Sequence, residues 1–186
     1  MHMKRRPAVN ACPIVVSMRQ AGSSDVVGSE RSSTLLILVG PKGSGKTHIG
    51  TVLERHLGIR FLRVEPIFRA HRNGPGAMAE VEREIDRALA EAGVVAIEST
   101  GAAPDLVEYW RGRYEHVVLA RVCASDETCF RRFLERDASA HIPVSDDRFR
   151  EVNERAAQAS FDWDCELDNE RALTDEDIVR AISAVL

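Results

Sequence analysis

One segment constrains the fold more than any other. The chain runs from a continuous apolar stretch, Leu35-Leu36-Ile37-Leu38-Val39, through Gly40-Pro41-Lys42-Gly43-Ser44-Gly45-Lys46-Thr47, and on into residues with Ile49, Val52, Leu53 and Leu57 on one helical face. An unbroken apolar run of this length predicts a strand buried on both faces. The three- and four-residue spacing that follows predicts a one-faced helix over 47–57, stopped at Gly58. The residues between satisfy G-x-x-x-x-G-K-[ST] at every fixed position. Glycines at 43 and 45 let the backbone curl with its N–H groups inward, and the helix beginning near Lys46 adds its positive end. Such a turn is an anion cradle shaped for a polyphosphate.

The same alternation continues to the C-terminus. Ile59–Val64, Val94–Ile97, His116–Val122 and Cys165–Leu167 read as further strands, and helices are expected over Ala77–Glu91 and Asp105–Arg111. Ser125 and Ser145 are expected N-caps of helices reaching Arg136 and Ala159. Thr174 with Asp177 reads as a capping box that opens the last helix. Strands separated by helices predict an α/β fold with a parallel sheet covered on both faces.

Residues 1–33 stand apart, with Lys4, Arg5, Arg6 and Arg19, no acid before Asp25 and a Gly/Ser-rich stretch. They are expected to form a flexible N-terminal extension, with 34–186 as the folded domain; a transit segment or a start at Met18 are the alternatives. At 186 residues, 44 % hydrophobic and a net charge of −4, the chain has the composition of one globular domain. That charge gives no reason to expect nucleic-acid binding. No apolar run approaches the ~18–20 residues of a membrane span. The four cysteines form no C-x-x-C pair, as expected of reduced thiols in a cytoplasmic protein. A monomer or a homodimer is expected.

The loop between strand and helix is a nucleotide-binding pattern. The backbone of residues 40–47 would cradle the α- and β-phosphates of ATP, Lys46 would bridge the β- and γ-phosphates, and the Thr47 hydroxyl would ligate Mg2+. The N-K-x-D and D-x-x-G motifs of a guanine-nucleotide switch are absent. The stretch Gly40-Pro41-Lys42-Gly43-Ser44-Gly45-Lys46-Thr47-His48-Ile49-Gly50, and the pattern from Thr34 onward, resembles the shikimate kinase-like and nucleotide kinase-like P-loop kinases. The resemblance implies a three-layer fold with a five-stranded parallel sheet in the order 2-3-1-4-5 and a lid after the fourth strand, about residues 137–147. It also implies MgATP-dependent phosphorylation of a small-molecule acceptor.

Departures from shikimate kinases fall in the acceptor site. Their Asp-x-Asp after the second strand is Arg63-Val64-Glu65 here, their substrate arginine aligns near Ala79, and their triple glycine is Ser99-Thr100-Gly101. Shikimate is therefore not the expected acceptor, and Glu65 alone keeps an acceptor-orienting role.

The resemblance places Glu98 beside the loop, where a carboxylate can serve Mg2+ through water or take the acceptor's proton. It assigns nucleotide contacts to Gly40 through His48, with Arg132 flanking adenine and Asn169 in the adenine loop. Arg136, at the start of the lid, is the expected phosphoryl-contacting arginine, with Arg148 and Arg155 in reserve. The basic loop 69–76 is expected over the acceptor and hints at an anionic one. Two other functions fit the same motif. One is a regulatory ATPase without an acceptor; the other is a nucleoside or nucleotide kinase with a pocket around Phe68 and Tyr109.

Overall fold

The computed structural model describes residues 33–72, 74, 76–136 and 144–186. All but the last residue of the expected N-terminal extension, and residues 137–143 of the expected lid, lie outside them. Strand β1 (Thr34–Val39) is buried on both faces and paired on both edges, in parallel, with β3 (Val94–Ser99) and β4 (His116–Cys123). Outside these lie β2 (Arg60–Leu62) and β5 (Cys165–Asp168), which gives the order β2-β3-β1-β4-β5 with every pair parallel, as expected.

The pleat of β1 divides the core. Leu36 and Leu38 meet Ile49, Val52 and Leu53 of α1 (Lys46–Leu57) and Ile178 and Ile182 of α7 (Asp175–Ser183). Leu35, Ile37 and Val39 point the other way, onto Val81 and Ile85 of α3 (Gly76–Ala92) and Val107 and Trp110 of α4 (Pro104–Arg113). Each such side chain, fully buried, contributes ~1.5–3 kcal/mol, so two such layers supply a core without covalent staples. Cys123, Cys129 and Cys165 are free thiols.

Local signals place the helix starts. Ser125 and Ser145 cap α5 (Asp126–Glu135) and α6 (Asp146–Gln158), their hydroxyls accepting from the N–H of Thr128 at 3.2 Å and of Arg148 at 3.3 Å. Thr174 caps α7 in the same way from Asp177, but the reciprocal half of the box differs. The Asp177 carboxylate accepts from the Thr174 hydroxyl at 2.6 Å, because aspartate is one methylene shorter than the glutamate that reaches back to the cap's backbone.

Three expectations change. The second strand spans only Arg60–Leu62, and the chain turns at once into α2 (Val64–Ala70), which the sequence pattern did not reveal. Pro66 masks it; yet in a first turn the proline's missing N–H would have had no partner anyway. The expected loop 69–76 is correspondingly shorter, since Arg69 and Ala70 end α2 and Gly76 begins α3. The last expected lid residues, Asp146 and Asp147, are the first turn of α6. Among the described residues no helix is long and apolar enough to cross a membrane.

The register positions the site. Glu98 pairs with Leu38 and Ser99 with Val39, and the Gly40 N–H continues the ladder onto the Ser99 carbonyl at 3.1 Å. β1 and β3 therefore end side by side, at the carboxyl edge where open α/β sheets bind ligands.

Candidate active site

Two glycines make the turn after β1 possible. Gly43 and Gly45 have φ of 86° and 98°, and a Cβ on either would lie 2.2 Å from the Cys129 carbonyl oxygen or from Asn169 Nδ2 respectively. Any side chain is excluded at both positions by backbone preference and by space.

Two asparagines hold the loop from outside. Asn153, on α6, accepts the Lys42 N–H at Oδ1 (2.8 Å) and donates Nδ2 to the Lys42 carbonyl (3.0 Å). Asn169, following β5, donates Nδ2 to the Ser44 carbonyl at 2.7 Å and accepts the Leu173 N–H at 3.1 Å. Both are 4 % exposed. Asn153 was missed by sequence reading; a polar residue at a core position of an otherwise charged helix was the only signal. Asn169, expected at adenine, has both ends of its amide committed to protein backbone and holds the loop's shape.

Lys46, the first residue of α1, folds back over the loop and donates from Nζ to the carbonyls of Gly40 (2.7 Å) and Pro41 (2.8 Å). Burial pulls its ammonium down from 10.5 to about 8, against the opposing pull of Glu98. Thr47 donates its hydroxyl to Glu98 Oε2 at 2.9 Å. A hydroxyl and a carboxylate thus meet at one point beside the cradle. Both are hard oxygen donors of the type Mg2+ takes, with waters and phosphates completing its shell. The residues present fit that ion. Among the described residues no group of three or more His, Cys, Asp or Glu is placed to hold a metal alone.

A cleft of about 260 Å³ opens from this point. Lys42, Gly43, Lys46, Thr47 and Glu98 line its loop end, and Val64, Glu65 and Phe68 of α2, Leu106 and Trp110 of α4, and Arg136 line its far end. Glu65 reaches the cleft from the first turn of α2, not from a strand end. Arg136, the residue after α5, lies with its guanidinium 4.4 Å from the Phe133 ring centre. Partial burial lowers its pKa and Glu65 opposes that shift.

The remaining expected residues lie elsewhere. Arg132 donates Nη2 to the carbonyl of Asn169 (2.9 Å), and its Nη1 is buried without a partner among the described residues. It therefore braces the loop after β5, whose Glu170 accepts from the Ser125 N–H, the Ser125 hydroxyl and the Thr128 hydroxyl. His48 is exposed on α1 and does not line the cleft. Arg148 pairs with Glu151 at 2.6 Å, and Arg155 is exposed outside the cleft. Pro41 and Ser44 complete the loop, Ser44 fully buried. Of the pair expected to form a base pocket, Phe68 lines the cleft, whereas Tyr109 is 47 % exposed and its neighbour Trp110 faces inward instead.

No protein-family model matches the chain, and no curated protein sequence does. Solved structures do. A protein of Chloroflexus aurantiacus J-10-fl described as a kinase superposes with a TM-score of 0.61 at 16 % identity, covering 83 % of this chain and 99 % of its own. A sugar kinase of Janibacter sp. HTCC2649 gives 0.57 at 18 %, over 82 % and 94 % of the two chains. Shikimate kinase of Aquifex aeolicus gives 0.53 at 20 %, over 80 % and 94 %. At such identities the likeness speaks to architecture. With the strand order and the loop after β1, it identifies the fold as that of the shikimate kinase-like small P-loop kinases.

Proposed function

We propose that the protein is an ATP-dependent phosphotransferase that moves the γ-phosphoryl group of MgATP to a hydroxyl of a small-molecule acceptor. The observation that supports it most is the meeting of Thr47 and Glu98 at 2.9 Å, with Lys46 beside them, at the mouth of a cleft whose far end holds a second carboxylate, Glu65. A nucleotide-binding loop alone needs no such second compartment.

Each residue has a role in this reading. The N–H groups of Gly43 and of Gly45 through Thr47 receive the phosphates, and Lys46 exchanges the carbonyls of Gly40 and Pro41 for phosphate oxygens. Thr47 and Glu98 would hold Mg2+, which when bound neutralises charge on the β- and γ-phosphates. With Glu98 occupied there, Glu65 is the carboxylate left to orient the acceptor hydroxyl and take its proton as the oxygen attacks in line and the bond to ADP breaks. Arg136 spreads positive charge over the transferring group's equatorial oxygens.

The test is Lys46→Ala, which removes the mobile cation and keeps the loop's glycines. Acceptor-stimulated ADP release should fall by ~10²- to 10³-fold, the scale of losing one charge-stabilising donor, while the circular dichroism spectrum is retained. Unaltered turnover in the variant, or no association of wild-type protein with MgATP at millimolar concentration, would refute the function.

A further inference from the structure

We propose, building on the phosphotransfer function above, that the acceptor is an uncharged alcohol with a flat apolar face, and that the cleft rejects the carboxylate-bearing form of the same molecule. This chemistry is shared by nucleosides and alicyclic alcohols.

Charge at the acceptor end comes first. Once Lys42, Lys46 and Arg136 serve the phosphates and Glu98 the metal, the titratable group left in the cleft wall among the described residues is Glu65. Among the described residues an acceptor carboxylate would find no surplus cation; it would sit by Glu65 as a like charge, partly removed from water, which is costly unless paired. The basic residues that might have reversed this lie elsewhere. Arg63 turns to the Thr51 hydroxyl at 3.4 Å, and Arg69, Arg72 and Arg155 are exposed and outside the cleft. The anionic acceptor suggested by the basic loop is therefore not what the cleft is built to hold.

The walls supply the rest. Val64 and Phe68 from α2 and Leu106 and Trp110 from α4 line the same cleft, beside the hydroxyl-bearing Ser99 and Thr100. Four large apolar side chains suit the faces of a ring, and the two hydroxyls suit its polar substituents. Trp110 is 2 % exposed, and its indole N–H is buried without a partner among the described residues. A buried donor left unpaired is a cost that an uncharged oxygen on the ligand would remove.

The experiment measures acceptor-dependent ADP release at saturating MgATP with two matched pairs: methyl shikimate against shikimate, and uridine against 5-carboxyuridine. In the pair that turns over, the neutral member should have a kcat/KM at least ~10-fold higher. Which pair responds separates an alicyclic acceptor from a nucleoside. Equal or better turnover of a charged member overturns the inference, as does binding of MgATP with no stimulation by any of the four. Failure of calorimetry to detect MgATP binding would instead overturn the phosphotransfer function itself. Phe68→Ala supplies a second reading. It should raise acceptor KM ~10-fold with kcat within ~3-fold, the split expected of lost uniform binding. An unaltered KM for the acceptor would overturn the role of the apolar walls.

Discussion

Asn153→Ala separates a loop that is held from one that merely folds. In the native protein the Asn153 amide makes two bonds to the Lys42 peptide, at 2.8 and 3.0 Å, and is 4 % exposed. Truncation removes both and leaves the Lys42 N–H and carbonyl partly shielded. Such bonds are each worth ~0.5–1.5 kcal/mol net, with ~1–3 kcal/mol for a group left unsatisfied, so a loss of ~2 kcal/mol is expected. For a domain of this size that lowers the melting temperature by ~4–8 °C. The larger consequence is for the ligand. If Lys42 and one neighbour regain freedom, binding must order them again at ~1–2 kcal/mol per residue. That corresponds to a ~30- to 1000-fold weaker affinity for a non-hydrolysable ATP analogue. Calorimetry on both proteins, with melting curves alongside, measures the two effects separately. A lowered melting temperature with analogue affinity unchanged within twofold would show that the asparagine stabilises α6 without organising the loop, and would refute the clamp.

Two further predictions follow from the same loop. The folded Lys46 sits at about 8, below its usual 10.5, so between those values the unfolded chain holds more protons and stability rises with pH. A bound polyphosphate restores the ammonium, so binding should take up about 0.9 proton at pH 9 and about 0.1 at pH 7; calorimetry in buffers of different ionisation enthalpy reads this, and uptake that persists in Lys46→Ala would place the proton elsewhere. Gly45→Ala puts a Cβ at φ 98° and 2.2 Å from Asn169 Nδ2. Backbone strain alone is ~1–3 kcal/mol, and analogue binding should be lost with it; a variant that binds normally would show the loop to be deformable.

The amino-acid pattern by itself determined most of what depends on near neighbours. The apolar run at 35–39, the glycines at 43 and 45 and the caps at Ser125, Ser145 and Thr174 act within a few residues, and each is where the chain does what local physics requires. The strand order followed from the family resemblance, and Glu98 from its place at the end of an apolar strand. Only the tertiary structure decided what joins distant parts of the chain. Asn153 and Lys42 are 111 residues apart, Asn169 and Ser44 are 125 apart, and nothing in the spacing of either asparagine marks its partner. Likewise α2 was hidden by a proline that is harmless only because it falls in a first turn. That α2 and α4 contribute to one cleft with the loop after β1 is likewise visible only in the fold. A side chain's period along the chain is set by backbone geometry, but its partner is set by which elements the whole fold brings into contact.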